Sequence, residues 1–153
     1  MQDDASDILI IGAGFSGTAV AVQLLRQATG PLRVKLLNES GRMARGLAYG
    51  TDSAEHLLNV PAGNMSALAD EPAHFLRYCQ WVDERWHAGS FVPRRLYGAY
   101  LESLLAAAES SPGPARLQRV VGRALSLVPP ADPGGLATVQ LADGTALRAR
   151  HVV

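Results

Sequence analysis

Apolar residues along this chain fall into short blocks of different period. Residues 7–11, Asp-Ile-Leu-Ile-Ile, run apolar without a break up to Gly12, as a parallel strand covered on both faces does. Residues 15–28 are apolar nearly all round through Ala19, Val20, Val22, Leu24 and Leu25, which predicts a buried helix stopped by Thr29-Gly30-Pro31. Residues 33–38 predict a second strand. No period runs through 40–70, and so long a loop in a compact domain is more often functional than idle. Helical spacing returns behind Asp70-Glu71-Pro72 at Phe75, Leu76, Cys79, Val82 and Trp86. It returns again over 94–109 through Tyr97, Tyr100, Leu101, Leu104, Leu105 and Ala108. After Ser110-Ser111-Pro112-Gly113-Pro114 the chain changes character. One strand is expected over 117–128, a second over 136–141, and a third over 147–150 behind an Ala142-Asp143-Gly144-Thr145 hairpin turn, with 151–153 opening a further strand.

The pattern describes a single domain over 1–153. It comprises a βαβ unit (1–40), a loop (41–70), a helical segment (71–110) and a β segment (116–153), behind a polar, frayed start.

Composition acts mainly by exclusion. Acidic and basic residues number 14 each, so the basic surface that nucleic acid requires is missing. The single cysteine, Cys79, excludes an internal disulfide, fits a reducing cytoplasm and reads as a packing residue. Residues 8–25 carry no charge, a run of 18 that reaches the length of a membrane span. The acidic residues before it and the three glycines within it point instead to a buried strand followed by a buried helix. His56, His74, His87 and His151 have no metal-ligand spacing, and Ser16 and Ser66 lack the setting of a hydrolase nucleophile. Asp83-Glu84 reads as a wet helix face, and Trp81 and Trp86 as packing residues. No catalytic acid or base is identifiable. Arg94-Arg95 opposes the dipole at a helix start, as a solvated pair or as the mark of a local anion.

The chemistry lies in Gly12-Ala13-Gly14-Phe15-Ser16-Gly17, between the first strand and the first helix. Gly12 permits the tight turn, Gly14 lets backbone approach a pyrophosphate, and Gly17 lets helix pack on strand. Amides at the helix start, Phe15 and Ser16 among them, then face the anion with the helix dipole behind them. Glu39 closes the second strand 22 residues after Gly17. A spacing of roughly 20 is usual for the acid that binds the ribose hydroxyls of a dinucleotide. A carboxylate there accepts from a diol and repels a 2′-phosphate, which favours FAD or NAD over NADP.

In Gly46-Leu47-Ala48-Tyr49-Gly50, in Leu58-Asn59-Val60-Pro61 and in the Pro-Arg-x-x-Tyr-Gly-x-Tyr-Leu segment over 93–101, together with the glycine loop, the chain resembles the N-terminal part of bacterial FAD/NAD(P)-binding oxidoreductases with two dinucleotide-binding domains. Flavin monooxygenases are more distant likenesses. Such flavoproteins often place Gly-Gly six residues after the acid, where this chain has Gly46-Leu47. The resemblance implies an α/β fold, a Rossmann-like FAD/NAD(P)-binding parallel sheet with inserted helices and a small antiparallel β piece. It implies that Gly12, Gly14, Gly17 and Glu39 hold the ADP half of FAD, with Arg42, Arg45 and Asn59 near the pyrophosphate or flavin and backbone around Ala124 near adenine. By their own chemistry Arg42 and Arg45 are either phosphate donors or solvated loop arginines, and Asn59 either pins a flavin edge or ties its own loop.

The implied function is the FAD-binding portion of a flavin-dependent, monooxygenase-like oxidoreductase in the cytoplasm, away from membranes, drawing hydride from NAD(P)H for a small-molecule substrate. In such proteins an Ala-Thr-Gly turn and a second domain follow the last strand. The expectation is therefore a domain incomplete at its C-terminus or a naturally short form. The alternatives are a non-catalytic ADP- or dinucleotide-binding module and an NAD-dependent dehydrogenase.

Overall fold

A computed structural model describes residues 5–153. Four parallel strands and an antiparallel three-stranded meander share one strand and form a six-stranded sheet of order β3-β2-β1-β6-β5-β4. The opening unit is β1 (Ser6–Ile11), α1 (Phe15–Gln27) and β2 (Leu32–Asn38). β1 and β2 pair in parallel with Ile8 opposite Val34 and Ile11 opposite Leu37. Side chains alternate across β1. Ile10 joins Val34, Leu36 and the helices in the larger core, whereas Leu9 joins Leu37, Val139, Leu141 and Leu147 in a smaller aliphatic core under the meander. Burial on both faces explains the unbroken apolar run of this strand.

The inserted helices are α2 (Gly46–Tyr49), α3 (His74–Val82) and α4 (Arg94–Ser110), of which α4 packs against α1. Residues 40–70, expected as plain loop, hold α2 and a 3-10 turn at Ala62–Asn64. Their backbone is tied to the chain before α4. Leu58 N–H donates to the Val92 carbonyl, Ala62 to Ser90 and Gly63 to Ala88, each at 2.9 Å. These non-local bonds order the segment without leaving any period in its sequence.

The helical spacing expected to reach Trp86 ends earlier. Asp83 turns to extended backbone (φ −154°), and its carboxylate accepts from both the backbone N–H and the guanidinium of Arg85. Trp86 packs on the larger core from the turn that follows. The start moves too, from Asp70-Glu71 to His74, because Glu71 and His74 close two successive turns first.

The strand expected over 117–128 is two strands on opposite edges of the sheet. β3 (Ala115–Val121) pairs in parallel with β2, and β4 (Ala124–Val128) pairs antiparallel with β5 (Ala137–Leu141). The corner is Gly122-Arg123. Gly122 N–H donates to the Asn38 carbonyl at 2.9 Å, and a Cβ on Gly122 would lie 2.9 Å from Leu141 Cδ1. Apolar residues continue on both sides of the corner, at Val120, Val121, Ala124 and Leu125, and so hide it. Conversely, residues 147–150 and 151–153 are one strand, β6 (Ala146–Val152), and not two. Its first half is antiparallel to β5 and its second half parallel to β1, with Ala149 paired to both.

No helix among the described residues is long and apolar enough to cross a membrane, and the uncharged run 8–25 divides into β1 and α1. Cys79 is buried, and burial pushes its thiol up to about 11, far from a reactive thiolate.

Candidate functional site

The glycine loop leaves β1 at Gly12, whose φ of +99° is open to glycine and strained for other residues. Gly12 N–H donates to the Leu37 carbonyl at 2.8 Å. Ala13 is held on both sides: its N–H donates to Asn38 Oδ1 at 3.1 Å and its carbonyl accepts from Ala44 N–H at 2.8 Å. Asn38 is itself fixed by donating from Nδ2 to the Ser40 carbonyl. At Gly17 a Cβ would lie 1.8 Å from the Gly12 carbonyl oxygen and 3.1 Å from Ile10 Cγ2, so helix-on-strand packing requires glycine there.

Gly14 is different. Its backbone is ordinary for any residue (φ −79°), and a Cβ would find only Gly46 Cα at 3.7 Å. Gly46, at the head of α2, has φ +58°, and a Cβ there would come within 3.0 Å of Gly14 Cα. The loop and α2 therefore meet backbone to backbone. Gly14 caps α1 without any side-chain hydrogen bond, leaving the helix start to an outside acceptor. Phe15 is half-exposed and stacks on Tyr97 with ring centroids 6.2 Å apart, and Ser16 is exposed.

Beside this loop lies a groove of about 700 Å³, lined by Asn38, Glu39, Arg42, Arg45, Gly46 and Leu47 among others. The Glu39 side chain is 74% exposed and 4.0 Å from Arg123, so its carboxylate remains open to a ligand. Arg42 pairs with the exposed Asp52 at 2.8 Å. Arg45 is anchored differently. Its Nε and a terminal nitrogen grip both oxygens of Glu102 on α4, at 2.6 and 2.9 Å, with only 16% of the side chain exposed. That pairing raises the Arg45 pKa.

The structure thus gathers Glu39, Arg42, Arg45 and Gly46 around one groove that abuts the glycine loop. Asn59 and Ala124 are not in its lining. Asn59 is exposed on the segment bridged to the residues before α4, and Ala124 opens β4 against the smaller core. The corner just before Ala124 does reach the end of β2, through Gly122 and Arg123. Sequence reasoning missed Asn38, the clamp on the loop. The available signal was an amide-bearing residue ending an otherwise apolar strand. Leu47, fully exposed at the rim, was also missed. Among the described residues no cluster of His, Cys, Asp and Glu is placed to hold a metal ion.

A parallel βαβ unit within a mixed sheet, an uncapped helix start behind a glycine turn and an acid at the end of the second strand define a dinucleotide-binding α/β domain. Residues 9–153 match the family model described as FAD-NAD(P)-binding, and the chain belongs to that family. No curated protein matches it. Among solved structures it is similar to a flavin monooxygenase from Stenotrophomonas maltophilia, with TM-score 0.65 and 21% identity over 97% of this chain and 37% of that one. It is also similar to cyclohexanone monooxygenase from Rhodococcus sp. Phi1 bound to NADP+, with TM-score 0.66 and 20% identity over 97% of this chain and 25% of that one. A bacillithiol disulfide reductase from Staphylococcus aureus gives TM-score 0.63 and 11% identity over 97% and 37%. The chain spans well under half the length of these proteins, and at such identities the likeness is one of fold: a Rossmann-like FAD/NAD(P)-binding domain.

Proposed function

We propose that this chain is the FAD-binding portion of an NAD(P)H-linked, flavin-dependent oxidoreductase, and that its groove takes the ADP half of FAD. The observation that carries the reading is Gly14. The protein's own packing leaves room for a side chain there, so its bareness serves a ligand brought against the uncapped start of α1. In this reading the amides at the head of α1 receive the pyrophosphate, and Glu39 accepts from the adenosine ribose hydroxyls. Arg42, whose partner Asp52 is exposed, exchanges that carboxylate for a phosphate oxygen. Arg45, already satisfied by Glu102, positions α2 against the loop. The residues 121–124 corner offers backbone to adenine, and Asn59 faces the more distant part of the ligand. FAD, when bound, supplies the redox chemistry, and the chain binds and orients it. The protein works in the cytoplasm, where a lone buried cysteine needs no oxidising compartment.

Calorimetric titration of the purified protein with FAD, ADP, NAD and NADP tests this. FAD and ADP should bind with NADP much weaker, and the FAD-loaded protein should stay yellow through desalting. Binding of NAD with FAD excluded would establish the dehydrogenase reading instead, and binding of ADP with FAD excluded would leave a nucleotide-binding module.

A further inference from the structure

A second cavity lies on the far side of the Arg42–Arg45 pair, which lines both. It measures about 560 Å³, within the range of small-molecule sites. Its walls are apolar: Val82 and Trp86 from the end of α3 and the turn behind it, and Pro93, Leu96 and Ala99 from the start of α4. Its charged lining is Arg42, Arg45 and Arg95 against Asp52 and Asp83. The partners standing outside the lining, Glu102 for Arg45 and Arg85 for Asp83, add one charge of each sign. One positive charge is left over.

That charge belongs to Arg95. Arg94 and Arg95 both sit where the helix dipole disfavours a cation. Arg94 is accounted for, since its Nε donates to the Leu57 carbonyl at 3.0 Å. Arg42, Arg45 and Arg85 are each in contact with a carboxylate. Arg95 is exposed, and its guanidinium, open to water, makes no hydrogen bond or ion pair of contact length with the described residues. Its field nevertheless falls on the cavity. Asp52 is held below its ordinary pKa first by its hydrogen bond from Arg42, and Arg45 and Arg95 add to that through space. The α4 start behind Arg95 carries no side-chain cap either.

We propose that this cavity binds a small organic monocarboxylate, its carboxylate on Arg95 and its apolar body against Trp86, Leu96 and Pro93. The single surplus charge sets the valence. Asp52 and Asp83 repel phosphate esters of higher charge, the arginines repel amines, and a neutral amide offers Arg95 an acceptor but no counter-charge. An indole wall favours a ring-bearing body. The charge count is that of the protein without bound dinucleotide, and in that state the site does not depend on the dinucleotide reading.

Trp86 is a built-in reporter once Trp81, exposed on α3, is replaced. In a Trp81→Phe background the whole protein is titrated with phenylacetate, phenylacetamide and phenethylamine while Trp86 fluorescence is followed. Phenylacetate should give a saturable change, with the amide and the amine about tenfold or more weaker. Arg95→Gln should lower phenylacetate affinity about tenfold and close the gap to the amide, whereas Arg95→Lys keeps part of it. Ala99→Phe, which fills the apolar wall, should abolish the response while thermal unfolding shows the variant folded. Equal binding of all three probes, an unchanged Arg95→Gln variant or no saturable response overturns the proposal. The FAD titration is read separately, so loss of one result leaves the other standing.

Discussion

Two walls meet at the candidate groove, the glycine loop that borders it and the arginines that line it, and they are built from different materials. The glycine wall is backbone against backbone: Gly17 on Gly12, Gly14 on Gly46, with Asn38 clasping the loop between them. The arginine wall is side chain against side chain, with Arg42 on an exposed carboxylate and Arg45 on a half-buried one. Contacts between backbones have no rotamer to yield with, so the first wall accepts or rejects a change outright. Ion pairs near water are exchangeable, worth little each, and screened by salt. One wall fixes where a ligand sits, and the other can trade its internal partners for the ligand's charge.

The largest effect expected from this contrast is at Gly17. A Cβ 1.8 Å from the Gly12 carbonyl oxygen meets backbone, which no side-chain rotation relieves, so the loop or α1 must move. Gly17→Ala should destabilise by about 3 kcal/mol or more, a drop in Tm of roughly 10 °C for a chain this size. A variant melting within a degree or two of the parent would show that the loop is plastic and that the two walls do not differ in kind. Gly46→Ala comes next. It combines a left-handed φ of +58° with a 3.0 Å approach to Gly14 Cα. It should cost about 1–2 kcal/mol in thermal unfolding, and that loss should not change with salt.

How far each wall can be read from sequence follows from the same contrast. The spacing of Gly12, Gly14 and Gly17 behind an apolar run is local, and it announces β1, the turn and α1 almost to the residue. Glu39 is equally local to the end of β2. Arg45 is not, because its partner Glu102 lies 57 residues away on another helix. Asn38 is two residues from Ser40, yet what it clasps is 25 residues back. The corner at Gly122 and the double pairing of Ala149 are also non-local. Each is fixed by strands meeting across the sheet, and the succession of apolar residues runs through both without a mark.

Glu102→Gln tests the second wall. It leaves the Arg45 guanidinium, 16% exposed, without its counter-charge. Glu102 itself is 40% exposed, so solvent screening limits the expected loss to about 1 kcal/mol at low salt. Denaturant unfolding at low and high salt should show that loss shrinking as salt rises, which the Gly46→Ala loss should not do. Arg42→Gln, whose partner Asp52 is exposed, should leave the unfolding midpoint where it is and show its effect in an ADP affinity that is weaker and less dependent on salt.

The smallest effect on stability should be the most informative about function. Gly14 has an ordinary backbone conformation, and its closest neighbour would be in plain van der Waals contact with an added methyl group, at 3.7 Å. Gly14→Ala should therefore unfold within about 0.5 kcal/mol of the parent. The same methyl group would stand at the uncapped head of α1, where the proposed reading brings a pyrophosphate against backbone. ADP and FAD affinity should fall about tenfold or more in calorimetry while the melting curve stays put. Gly17→Ala reverses the order, since there binding is lost because the fold is. If Gly14→Ala bound ADP as tightly as the parent, the second glycine would serve the packing of α2 alone and the ligand would approach from elsewhere. If it unfolded as badly as Gly17→Ala, the 3.7 Å contact would be closer to the limit than its geometry implies. Only stability kept with affinity lost assigns the bareness of Gly14 to the ligand.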